Sequence, residues 1–145
     1  MGTRSFIIVP NPKGDFSGIY CHWDGYPEGV GKTLEQHYTS KAKIRKLINL
    51  GDLSSLKPEI DPTEHHSFNA PQSGVCIAYG RDRGEKNVDK RTKGSLHELV
   101  QIAADMWCEF IYLHFNGVWH YLPVDEALER KAYRTVMEGI REEAA

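Results

Sequence analysis

The sequence predicts an α+β fold, an antiparallel sheet of about five strands with helices packed on one face. Three observations carry that expectation. Short apolar or alternating runs read as strands, apolar residues recur at helical spacing between them, and the two kinds of segment mix without a regular βαβ alternation. The 145 residues are expected to form a single globular domain, 1–145.

Ser5–Val9, with Phe6, Ile7, Ile8 and Val9 in succession, is the first predicted strand, and Pro10, Pro12, Gly14 and Gly18 punctuate the turn after it. Ile19–Asp24 alternates cleanly, placing Ile19, Cys21 and Trp23 on one face and Tyr20, His22 and Asp24 on the other, so the two runs predict a hairpin. Pro27 suits the first turn of a helix whose stripe is Val30, Leu34 and Tyr38. A second helix restarts at Thr39 or Ser40, turns Ile44, Leu47 and Ile48 inward and stops at Gly51.

Pro58, Pro62 and Pro71 make 51–74 a long connection, with His65 and His66 exposed in it, before a buried strand at Val75–Tyr79. Arg81–Lys93 is net basic and reads as a solvated loop. Ser95 and Glu98 form a capping box ahead of Leu96, Leu99, Val100 and Ala103. Phe110–Phe115 and Val118–Leu122 flank Asn116-Gly117, the dipeptide suited to a two-residue turn with φ > 0 at both positions. One long helix is expected from about Asp125, with Leu128, Ala132, Val136 and Ile140 on one face and a frayed tail at Glu142–Ala145.

Composition excludes several classes. A 40% hydrophobic and 10% aromatic content argues against disorder, and no run approaches the length of a membrane span. Phe6–Val9 is too short for the apolar region of a signal peptide. A net charge of -2 suits neither a general nucleic-acid coat nor a strongly acidic mimic. Cys21, Cys76 and Cys108 lie in apolar runs without a C-x-x-C pair, which predicts buried free thiols in a reducing compartment.

YCHWDGYPEGVGKTLEQHY, LINLGDLSSL and YGRDRGE, with MGTRSFI and FIYLHFNGVWHYL, resemble a set of small uncharacterised proteins encoded by bacteriophages and prophages. The resemblance covers most of the chain. It implies an origin rather than a mechanism: a small protein in the cytoplasm of a bacterial host, acting on host machinery or host defence.

Four groups of residues are candidates for chemistry. GVGKT at Gly29–Thr33 invites a phosphate-cradling reading, but Tyr26 stands where the motif needs its first glycine, so the segment reads as a helix start. His22 and Asp24, two apart on a predicted strand, point a carboxylate at an imidazole and raise its pKa; the alternative is that Asp24 caps the following turn. Arg81 and Arg83 flank a Gly turn after a buried strand, suited either to bidentate anion binding or to a salt-bridged turn with Asp82 and Glu85. Lys41, Lys43, Arg45 and Lys46 join Lys86–Lys93 in one basic surface if the segments are neighbours. Trp23, Trp107 and Trp119 are expected in the core or packed on the hairpin.

The leading expectation is a non-catalytic binding protein that blocks or sequesters a host component, either a host protein or a small anionic signalling nucleotide held by Arg81, Arg83, His22, Asp24 and Tyr26. The alternatives are a small hydrolase or nucleotide-modifying enzyme using His22 and Asp24, and a nucleic-acid binder using the basic surface. No cofactor, metal or membrane association is expected, and an oligomer is compatible with the sequence.

Overall fold

The computed structural model describes residues 2–144. β1 (Ser5–Pro10) and β2 (Phe16–Cys21) form the expected antiparallel hairpin, with Ile7 opposite Ile19. A single π-helical turn, Pro27–Gly31, runs into α1 (Lys32–His37), and α2 (Lys41–Leu50) follows. The Ser40 hydroxyl caps α2 by accepting the Lys43 N–H at 3.1 Å, and Gly51 ends it with φ +87°. Next come β3 (Leu53–Ser55), β4 (Ile77–Ala78), α3 (Tyr79–Arg83) and β5 (Arg91–Lys93). α4 (Leu96–Asp105) carries the Ser95–Glu98 capping box and leads into β6 (Phe110–Phe115) and β7 (Val118–Pro123). α5 (Val124–Leu128), β8 (Arg134–Thr135) and α6 (Val136–Ala144) complete the described chain.

The α+β class holds, while the sheet is larger and more mixed than predicted. Eight strands among the described residues run β4-β3-β2-β1-β6-β7-β8, with β5 also on β2. β1 pairs with β6 in parallel and β2 with β3 in parallel; the remaining pairs are antiparallel. Four strands have only two or three residues, too few to leave a periodic signal.

Helices also cover both faces rather than one. β1 lies at the centre, and all of Phe6, Ile7, Ile8 and Val9 are buried, as a strand packed on both sides requires. Ile7, Ile19, Tyr112 and Tyr121 face Leu34, Tyr38, Leu47, Ile48 and Val136 of α1, its C-cap, α2 and α6. On the opposite face Phe6, Ile8, Ile111 and Leu122 meet Leu99, Val100 and Ala103 of α4 and Ala127 of α5. Burying each of these larger apolar side chains is worth about 1.5–3 kcal/mol.

Asn116 and Gly117 take φ +53° and +76°, and Phe115 pairs with Val118 across them, so the predicted turn forms. The single C-terminal helix does not. α5 stops at Leu128, Arg130 turns at φ +58°, and Arg134 and Thr135 pair with β7 before α6 begins. The Thr135 hydroxyl accepts the Glu138 N–H at 3.2 Å and restarts the helix. Leu128 and Ala132 are exposed, Ala127 being buried in their place, whereas Val136 is buried and Ile140 packs on the core, so the predicted stripe holds only in α6. A Cβ on Gly139 would lie 2.5 Å from the Tyr121 ring, and that close approach lets α6 lie against β7. The tail expected to fray is helical through Ala144, with Arg134 Nη1 donating to Glu142; Ala145 lies outside the described residues.

The outer edge of β2 is shared. β5 pairs with its first half, Phe16–Gly18, and β3 pairs at Cys21. Between them the Tyr20 N–H donates to Asp52 Oδ1 at 2.9 Å, and Arg91 donates to both oxygens of that carboxylate at 2.8 Å each. Asp52→Ala leaves the Tyr20 N–H and Arg91 without their acceptor. The expected cost is about 3 kcal/mol, the lower end for breaking a buried pair because Arg91 keeps some access to water. Urea unfolding of the variant measures it.

Candidate functional site

Two adjoining cavities open at the end of the sheet where β1 and β6 begin and β2 ends. One, ≈ 680 Å³, is lined by Gly2, Thr3, Arg4, His22, Trp23, Trp107 and Glu109. The other, ≈ 490 Å³, shares Arg4, His22 and Trp107 and adds Tyr20, Asp52, Tyr79, Arg83, Glu85 and Arg91 among others. Together they make one cleft rich in guanidinium and aromatic groups.

His22 enters the cleft because β2 stops at Cys21 while pairing to the β3 segment continues: His22 N–H donates to Leu53 O and Trp23 N–H to Ser54 O. The predicted strand through Asp24 is therefore corrected. Asp24 turns at φ +57°, its carbonyl accepts the Val30 N–H at 2.7 Å, and its carboxylate accepts the Tyr26 hydroxyl at 3.2 Å. Neither Asp24 nor Tyr26 lines the cleft. Glycine is required in GVGKT for packing: a Cβ on Gly29 would meet Asp24 O at 2.2 Å.

The His22 imidazole takes its partner from the preceding turn of the pleat instead. Tyr20 Oη lies 2.7 Å from Nδ1, and burial pushes the Tyr20 phenol up to about 12, so the bond joins the ring to a protonated hydroxyl. Burial, then the charge of Arg4, hold His22 below the usual histidine range, opposite to the expected effect of Asp24.

The two predicted arginines separate. Arg83 stays in the cleft, its guanidinium 4.4 Å from the Phe68 ring centroid and 4.9 Å from that of Tyr79, with Nη2 2.5 Å from Glu85. Arg81 is consumed by structure. It donates to Ile60 O at 2.7 Å, Cys76 O at 2.8 Å and Asp82 Oδ1 at 2.9 Å. Asp82 in turn accepts the Ala78 N–H at 2.8 Å and sits 3.1 Å from Nε2 of His66, whose side chain is buried rather than exposed as predicted. Burial raises the Asp82 carboxyl, but these donors more than offset it and hold it below the usual carboxylate range. Of the solvated loop expected at 81–93, the first residues belong to a helical turn, α3, and the last three to a strand, β5, while 84–90 form the expected irregular connection.

Sequence reading missed Arg4 and misplaced two tryptophans. Trp119 is in the core, its indole N–H donating to Tyr38 O at 2.9 Å. Trp23 and Trp107 are 43% and 79% exposed. Trp107 follows α4 with φ +65°, the left-handed position that glycine ordinarily fills after a helix. Holding a bulky residue there costs about 1–2 kcal/mol, and Trp107 recovers little of it by burial. The available signal was a helix that must stop before β6 with neither Gly nor Pro in DMWCEF.

Among the three arginines that line the cleft, Arg4, Arg83 and Arg91, ion pairing singles out Arg4. Arg81, Arg83, Arg91 and Arg134 each have a carboxylate within ion-pair distance. Arg4 has none among the described residues, and the hydrogen bond from its Nη1 to Met106 O is a long one, 3.4 Å. Cys21, Cys76 and Cys108 are free and buried, with burial pushing the Cys21 and Cys108 thiols up to about 12, so none is poised as a nucleophile. Among the described residues no group of three or more His, Cys, Asp or Glu side chains is arranged to hold a metal, and no helix is long and apolar enough to cross a membrane.

Arg81→Ala is expected to destabilise the fold by about 1–3 kcal/mol, since two carbonyls and Asp82 lose a charged donor. Arg83→Ala, at a half-exposed ion pair, is expected to cost under about 1 kcal/mol; thermal unfolding of both variants checks the contrast. Comparison with family models, curated proteins and solved structures finds no match to this chain.

Proposed function

We propose that this is a non-catalytic binding protein whose cleft holds a small anionic ligand with an aromatic ring, of which a nucleotide is the best example. The observation that carries the reading is Arg4, without a carboxylate partner, beside two exposed indoles, Trp23 and Trp107, in one cavity. The strained, solvent-facing Trp107 supports it further: its conformation opposes folding and its ring is left open to stacking. The resemblance to phage-encoded proteins favours a host signalling nucleotide as the ligand, withheld from its receptor by binding.

A reaction at this site has less support. The hydrolase reading rests on a His22–Asp24 pair, and the Asp24 carboxylate is engaged with Tyr26 outside the cleft. The nucleic-acid reading rests on the joined basic segments. They are neighbours, since Lys90 Nζ donates to Asn49 Oδ1 of α2 at 2.7 Å, but Lys46 is ion-paired with Asp61 and Lys43 bonds Pro58 O and covers the Tyr38 ring.

Stacking of a base on one indole is worth about 1–3 kcal/mol and a charged hydrogen bond from Arg4 about 1.5–3 kcal/mol. Against the cost of association, these terms place the affinity for a mononucleotide between millimolar and micromolar. Calorimetric titration with a panel of mononucleotides and cyclic nucleotides tests this. Arg4→Ala and Trp107→Gly are each expected to weaken binding about tenfold to a hundredfold, while Trp107→Gly leaves thermal stability unchanged or higher because it relieves the left-handed tryptophan. Binding that survives both substitutions, or a nucleotide recovered chemically altered, overturns the reading.

A further inference from the structure

We propose a second anion site at the opposite end of the sheet, built to take a phosphoryl group. β1 begins beside Arg4 and ends at Pro10, so the two sites lie about 20 Å apart along the strand. The cavity there is ≈ 790 Å³ and lies between the β1–β2 turn, the first turns of α2 and the β6–β7 turn. Its charged and titratable lining residues are Lys41, Arg45 and His114, without a carboxylate among them.

The placement of Arg45 is the main argument. Nη1 donates to Asn11 Oδ1 at 2.9 Å, so a neutral amide holds this guanidinium where the carboxylate-paired arginines have an acid. The amide orientation is itself fixed, because Asn11 Nδ2 donates to Asp15 Oδ1 and to Ser17 Oγ at 2.9 Å each. Ser17 is buried and its hydroxyl meets Thr92 Oγ1 at 2.8 Å. A chain of neutral groups from β5 through β2 thus positions Arg45 without neutralising it, which leaves Nε and Nη2 as donors for an incoming anion. Lys41, one helical turn before Arg45 on α2, has no ion pair among the described residues and supplies a second positive charge. The His114 ring packs at a tilt on Trp119, centroids 4.9 Å apart, and burial, with His120 and Lys41 beside it, holds it below the usual histidine range, which favours a neutral hydrogen-bonding wall. Asp15 lines the neighbouring smaller cavity and is occupied by Asn11. Two cations, a neutral imidazole and the Asn116 amide suit the dense charge of a phosphoryl group, and the absence of an exposed aromatic ring from this lining separates it from the first cleft.

The experiment is a ¹H–¹⁵N NMR titration of the full chain with inorganic pyrophosphate, and separately with a short oligothymidylate. Saturable shifts are expected at the amides of Asn11, Ala42, Arg45 and Gly117. Lys41→Ala/Arg45→Ala is expected to weaken binding at least tenfold, Lys41→Ala alone, at an exposed position, at least threefold, and Arg4→Ala not at all. Shifts with pyrophosphate alone assign the site to free phosphorylated compounds; the same shifts with the oligothymidylate assign it to a phosphodiester backbone. Shifts that never saturate, or equal affinity in the double variant, overturn the proposal. Loss of pyrophosphate binding in Arg4→Ala would place the anion in the first cleft and overturn it too.

Discussion

Asp52 carries a buried carboxylate where the outer edge of β2 passes from one partner strand to another. A strand edge left unpaired inside a protein is costly, and Asp52 satisfies the exposed Tyr20 N–H with a side-chain oxygen. The negative charge is then matched by Arg91 in a two-pronged bond, which also raises the arginine's already high pKa. Its backbone is equally engaged: the Asp52 N–H donates to Val88 O and its carbonyl accepts from Tyr79. One residue therefore holds β2, β3, β5 and the loop before β5 in register. Because Tyr20, Asp52, Tyr79 and Arg91 also line the cleft, the same clamp shapes one of its walls.

That clamp explains why the guanidinium groups of the cleft are not equivalent. Arg91 is committed to the fold and Arg83 to a stack with Phe68 and Tyr79, so neither brings an unopposed charge. Arg4 differs because its segment is fixed through the backbone, with Gly25 N–H donating to Thr3 O and Glu109 N–H to Arg4 O. Its side chain is not needed to hold the chain, which is the condition for a group that meets a ligand. The Tyr20–His22 bond works similarly, anchoring the imidazole through Nδ1 to a phenol that burial keeps protonated.

Much of the fold was legible where local chemistry dictates it: the Ser95–Glu98 box, the Asn116–Gly117 turn, the Ser40 cap and the Val30–Leu34–Tyr38 stripe. What was not legible depends on residues distant in sequence. The apolar run of Phe6–Val9 reads as a strand of a sheet covered on one face, and nothing local states that β1 pairs in parallel with β6 or that α4 and α5 cover the far side. Short strands such as Ile77–Ala78 and Arg134–Thr135 exist only because a neighbour offers an edge. For the site, His22 and Arg83 both line the cleft, whereas Arg81 and Asp24 are held elsewhere by partners, Ile60, Cys76 and Val30, that tertiary packing sets. Trp107 was the hardest to read, since its exposure follows from a helix ending at a residue that resists the required φ.

The three tryptophans allow a direct measurement. Trp23 and Trp107 border the cavity with Arg4, while the Trp119 indole is buried and bonded to Tyr38 O, an internal reference within the same molecule. Following the three indole N–H resonances of the Lys41→Ala/Arg45→Ala variant, which leaves only the first cleft to bind, while a nucleotide is added reports where it binds. The account predicts saturable shifts of the Trp23 and Trp107 signals with the Trp119 signal unmoved. Unchanged Trp23 and Trp107 signals at saturating nucleotide, or movement of Trp119 alone, would contradict it.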